Sequence, residues 1–419
     1  MRSSALLLTL AVFIPCFAQA PKDVRAAAKQ GNVTTIAGYL NSAGVDTRIE
    51  SVKQLTALGG KDTIEPLIRA THDADPEMQV RATDGLVNYY LPGYVKQGLG
   101  SSLVRAGSAI KSKFTDSNDQ IIDAYVTVRP DVIAALAQLV RGGSSFESRA
   151  NACRALGILR GQAALPELID ALRSKENGLM YEALVAIEKI RDPSAGPKIT
   201  YLLRDLDDKV QMTAIEAAGV LRSTDALPSL RGIVASPRNN KAQRSALAAI
   251  AMMPEPRDRD LFLSQLTAKD DKLRASANEG LGRIGDPADI PAVEMSWRDE
   301  QKMAPRLGAA FALVMEGRLD LADDGAFRYL INNLNSAAYD DAAFAYLAEA
   351  ARRQAVLQAL YTQIEPGTKE EKIYLARVLS VSGDAESVPY VEKLSRDTDK
   401  DVAQEGLRAR RSLRARLGI

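Results

Sequence analysis

Three prolines set a period that few folds tolerate. Pro166 in ALPELIDAL, Pro197 in AGPKITYLL and Pro228 in ALPSLRGIV stand 31 residues apart, each followed by apolar residues two and six positions on (Leu168 and Leu172, Ile199 and Leu203, Leu230 and Val234). Proline costs nothing in the first turn of a helix, where its missing N–H has no partner anyway. Each proline therefore predicts the start of a short helix. The frame extends to Pro66, Pro291 and Pro389, with Asp260 in the proline position of one unit.

A second, alanine-rich segment with apolar residues at helical spacing follows each start: ESRANACRALGIL, MYEALVAIEKI, VQMTAIEAAGVL, QRSALAAIAMM, LRASANEGLGRIG. These segments end at Gly, Arg-Asp-Pro or Gly-Asp, which are stop signals for a helix. A pair of such helices is too small to bury its apolar face alone, so neighbouring pairs must stack. Aromatic residues make up only 5% of the chain against 46% apolar overall, which suits thin layers of helix on helix better than a thick sheet core.

The residues resemble the HEAT repeat, in particular its short bacterial form. There the first helix reads LPxLxxxL, an acidic turn follows, and the second helix opens with Val-Arg and ends ALG. DADPEMQVRATDGL and DDKLRASANEGLGRIGDP match that pattern well and FESRANACRALG in part. The expectation is an all-α, α/α superhelical solenoid of the HEAT-like or armadillo type, with about eleven helix pairs. The resemblance also implies a ladder in which a turn Asp pairs with an Arg of the next helix, and Arg81, Arg149 and Arg274 are expected in it, with Gln211 replacing it in one unit. It speaks for fold and hardly for activity.

Residues 1–20 read as an export leader: Arg2, the apolar run ALLLTLAVFI, then small residues suited to cleavage after Ala18 or Ala20. Ten apolar residues are too few to span a bilayer. Pro15 before Cys16 is a poor lipobox residue, which argues against a lipoprotein. The expectation is an exported protein, periplasmic or secreted. Cleavage would leave Cys153 as the one cysteine, unable to form an internal disulfide and read as a small buried hydrophobe.

The chain then divides into repeats over 21–90, an interruption over 91–129, and repeats over 130–419 that end in a capping helix. The interruption is far longer than the usual 2–8 residue helix connection. From Leu91 to Thr115 it carries Lys96, Arg105, Lys111 and Lys113 and no acid. Leu99, Leu103, Ala106, Ile110 and Phe114 fall on one helical face. Three readings stand open: an elaborated repeat packing back on the array, a docking element with Tyr89, Tyr90 and Tyr94 as anchors, or weak contact with an anionic membrane through 93–114.

Catalytic chemistry is scarce. His72 is the single histidine, and one His with one Cys supplies neither a triad nor a zinc site. No nucleotide-binding or hydrolase motif occurs. DADPE, DTDKD and RDLDDK are acidic turns that lack the glycine and distant glutamate of a calcium loop. Basic and acidic residues number 54 and 53, so no global field draws nucleic acid. The five arginines from Arg408 to Arg416 suit the last turns of a capping helix. The expectation is a non-enzymatic scaffold or adaptor without cofactor or metal, binding a protein partner through its concave face and the interruption. The alternatives are an enzyme accessory of the bilin-lyase kind, which the short-repeat family includes, or a peripheral membrane binder.

Overall fold

The prolines sit where the period places them. In the computed structural model, which describes residues 21–95 and 120–419, Pro166, Pro197, Pro228, Pro291 and Pro389 are each the second residue of a helix: Leu165–Ala171, Gly196–Ile199, Leu227–Ala235, Ile290–Asp299 and Val388–Leu394. Asp260 holds the same place in Arg259–Gln265. A 3-10 turn precedes each, so the chain tightens before it enters the helix.

The described residues form an all-α solenoid of eleven helix pairs. Units one and two cover 33–58 and 64–90. Units three to eleven cover 130–158, 165–190, 196–220, 227–252, 259–284, 290–315, 326–350, 354–382 and 388–417. The helix Pro21–Lys29 packs ahead of unit one. Buried Leu, Ile, Val and Ala from both layers make one continuous core, in which Phe262, Phe311 and Phe327 are the largest fully buried side chains.

Small residues set the spacing between successive second helices. A Cβ on Gly157 would lie 2.8 Å from the Cα of Ala186, and one on Gly282 would lie 2.5 Å from the Cα of Ala312. Most of these helices end through a left-handed residue. That residue is glycine at Gly59, Gly285, Gly317 and Gly418, but Arg160, Arg191 and Arg222 in three consecutive units, with φ between 49° and 58°.

The acidic turns are helix starts. Asp75, Asp207, Asp270 and Asp399 each accept hydrogen bonds from two amide N–H groups of the following helix. Asp73, Asp205 and Asp397 in turn accept from the amides of Asp75, Asp207 and Asp399. This is N-capping with an added turn bond, and it accounts for DADPE, RDLDDK and DTDKD.

The array also curls back on itself. The last residues of the interruption, 120–129, return without forming a helix, and the Ile122 amide donates to the Ile158 carbonyl at the end of unit three's second helix. The same limb meets the last helix, Lys400–Leu417: Arg408 grips Asp123 with Nη2–Oδ1 2.6 Å and Nε–Oδ2 3.3 Å, and Arg411 lies over the Tyr125 ring. No described helix is long and apolar enough to cross a membrane.

Candidate partner-binding surface

The fourth residue of each second helix explains the ladder. In units one, two, three, five, six and seven it is Arg48, Gln79, Arg149, Gln211, Gln243 and Arg274, and each donates to a carbonyl at the end of its own unit's first helix or turn. Three units extend it forward. Arg48 grips Asp73 (2.8 and 3.1 Å), Arg274 grips Glu300 (2.6 and 3.1 Å), and Lys372 pairs with Asp397 (3.0 Å). Each of these acids lies three residues before the next second helix begins.

Arg274 therefore ties two turns. Arg149, expected to do the same, binds the Val140 carbonyl at 2.7 Å, and the acid position ahead of it is Ser174. Arg81 is a correction. It stands two residues beyond the ladder position, which turns it about 200° around the helix, and it pairs with Glu77 one turn back. Gln79 holds the position instead, and its Oε1 accepts from both the backbone and the hydroxyl of Ser144.

The three tyrosines expected as anchors, Tyr89 and Tyr90 at the end of unit two and Tyr94 in the interruption, are built into the array. The Tyr90 hydroxyl accepts from the Arg129 amide at 3.1 Å, which pins the two ends of the interruption together, and Tyr89 stands edge-on to Tyr90 with centroids 4.9 Å apart. Tyr94 lies over a buried polar chain on the second helices of units two to four. In that chain Asn151 donates to Asp84 (3.0 Å), Arg154 donates to Asn151 (3.0 Å), and Arg154 pairs with Glu182 (2.8 Å). Burial, with the Asp84 charge nearby, pushes the Tyr94 hydroxyl far above its ordinary range. Lys96, Arg105, Lys111 and Lys113 lie outside the described residues, as does the leader.

Sequence reasoning missed a second bridge, which crosses the second-helix side. Arg283 of unit seven binds Glu349 of unit nine at 2.9 and 3.0 Å, Glu279 at 3.1 Å and the Ala251 carbonyl at 2.9 Å. Arg222, at the end of unit five, reaches Glu349 at 3.2 Å, and the Tyr346 hydroxyl donates to Glu279 at 2.6 Å. Burial alone would raise the Glu349 carboxyl; the hydrogen bonds and charge of Arg283 outweigh it and hold the group below its ordinary value. No sequence signal marks these partners, because they come from units two and four apart.

His72 joins units two and three, with Nε2 2.9 Å from Gln138 Oε1 and Nδ1 3.1 Å from the Ile68 carbonyl. Cys153 is fully buried, and burial raises its thiol well above its ordinary value. A cleft of about 400 Å³ between units six and seven is lined by Arg231, Arg257 and Asp258, whose charges are already paired with one another and with Glu255. Among the described residues no group of three or more His, Cys, Asp or Glu is placed to hold a metal. Of the terminal arginines, Arg408 and Arg411 hold the return limb, Arg414 pairs with Glu392, and Arg416 donates to the Ser380 carbonyl.

The profile of the HEAT repeat family matches residues 179–251, which span the second helix of unit four through unit six. The chain carries HEAT repeats over those residues. Among curated proteins it is 30% identical over 152 residues to the phycocyanobilin lyase subunit alpha of Nostoc sp., a match covering 33% of this chain and 55% of that one. The HEAT-repeat chain thus spans about half the length of the relative it matches. Among solved structures it is similar to the complex of CpcE and CpcF of phycocyanin lyase from Nostoc sp. (21% identity, 63% of this chain and 91% of that one, TM-score 0.37) and to an engineered protein (18%, 91% and 98%, 0.39). It is also similar to Kap121p (12%, 94% and 48%, 0.40).

Proposed function

We propose that this HEAT-repeat protein is an exported, non-enzymatic scaffold that holds a protein partner on a surface of fixed curvature. The observation that carries the reading is the set of ties between distant units: Arg283 and Arg222 to Glu349, and Arg408 to Asp123. A stack of helix pairs touching only its neighbours would flex along its length. Cross-ties hold one curvature, and a preorganised surface loses less conformational entropy when a partner binds. Export rests on the apolar leader, and the absence of enzymatic activity rests on the scarcity of catalytic residues.

A second reading has one observation in its favour, the 30% identity over 152 residues to a phycocyanobilin lyase subunit. It would make the chain an accessory of pigment attachment. One preparation separates the two. Protein purified from its native envelope is expected to begin at Gln19 or Pro21, to carry no chromophore, and to retain a protein partner that Asp123→Arg releases without lowering the melting temperature. Stoichiometric uptake of a bilin would overturn the scaffold reading.

A further inference from the structure

Arg306 occupies the ladder position of unit eight and uses it differently from every other Arg or Gln there among the described residues. It has no bond to a first-helix carbonyl and no acid within reach. Its guanidinium lies instead against two rings, 4.6 Å from the Trp297 centroid and 5.0 Å from that of Tyr329, which themselves stand edge-on 5.0 Å apart. Its Nε is a buried donor with no partner. That same atom takes the carboxylate in Arg48 and Arg274.

The missing acid has an address. Asp73, Glu300 and Asp397 each stand three residues before a second helix, and in unit nine that residue is Ala337, which is exposed. The rest of the turn cannot substitute. Asn333 donates to the Tyr329 carbonyl, and Asn335 donates to Glu371 of unit ten. Beside the slot, Met303 accepts from the Tyr329 hydroxyl and is 36% exposed. The result is a partly exposed Arg, Trp and Tyr cluster, the residue types that dominate binding energy at protein interfaces. It holds a cation whose sister cations Arg48, Arg274 and Lys372 each pair with a carboxylate.

We infer that Arg306 receives an Asp or Glu side chain from a protein partner, which completes the missing rung from outside, with an apolar neighbour of that acid resting on Met303. This names the chemistry of one contact and rests on the scaffold reading. A flat guanidinium stacked on rings is preorganised for bidentate carboxylate binding, so a matched amide should bind much less well.

Trp297 is the chain's one tryptophan, so its fluorescence reports the site directly. A blocked peptide of alternating Glu and Leu is titrated against an isosteric Gln and Leu peptide and against tripolyphosphate. The expected result is a saturable change with the Glu peptide alone, lost in Arg306→Gln. Ala337→Asp, which supplies the rung internally, should weaken that binding about tenfold while raising the melting temperature, so a folding defect cannot mimic the effect. Equal response to the Gln peptide, a stronger response to tripolyphosphate, unchanged binding in Ala337→Asp, or no saturable change overturns the site. In that event partner retention in the envelope preparation still stands or falls separately, because it is measured on the native partner.

Discussion

Arg154 and Glu182 form the most consequential pair at the scale of single residues. Their side chains are 9% and 2% exposed, and the chain through Asn151 to Asp84 ties three second helices in succession. Removing one charge of such a pair leaves the other buried and unpaired, which costs about 3–5 kcal/mol. Glu182→Gln is expected to destabilise by that order in chemical denaturation, and the double change Arg154→Met with Glu182→Leu by much less. Equal losses would mean the pair is stabilising in its own right. Gly282 makes the complementary steric case. A Cβ there meets the backbone of Ala312, so Gly282→Val should cost about 1–3 kcal/mol through overpacking, while Gly178, open on the surface, should tolerate the same change within about 0.5 kcal/mol. Urea unfolding of both variants checks this.

Helix starts are where the elements respond to pH. The Asp207 carboxyl is held below its ordinary 3.8, chiefly by the Val210 amide, and that of Asp399 likewise by the Val402 amide. A depressed carboxyl contributes stability that is fully present above the ordinary value and lost as pH falls through the folded one. The melting temperature should therefore drop as pH falls from about 5 to about 3. Asp207→Asn keeps a capping oxygen but cannot titrate, so it should flatten part of that drop, as calorimetry across the range would show. These starts were legible in the sequence because prolines and paired aspartates act locally. The ladder was legible only in outline. Arg81 looked like its member because Val-Arg fits the repeat pattern, yet the helical register gives the position to Gln79. Arg306 was missed because what distinguishes it, a Trp on one helix and a Tyr on another, is brought together only by stacking.

Closure is a property of the whole molecule, and nothing local announces it. Asp123 and Arg408 lie 285 residues apart, and Glu349 receives arginines from units five and seven. Repeat period gives the number of units but not the curvature, which accumulates from small rotations between them. The interruption between units two and three gains a physical purpose here: its return limb supplies the surface on which the last helix rests. The Asp123–Arg408 pair is partly exposed, and such pairs contribute roughly 0–1 kcal/mol each, so closure depends on several contacts and is sensitive to salt. The direct measurement is the distance between nitroxide labels on cysteines introduced at Ala124 and Leu407, both exposed, recorded by pulsed electron resonance with Cys153 left buried. A single short, narrow distance that broadens in Asp123→Arg is the predicted result. A long or broad distribution in the otherwise native protein would show an open array and contradict the scaffold of fixed curvature.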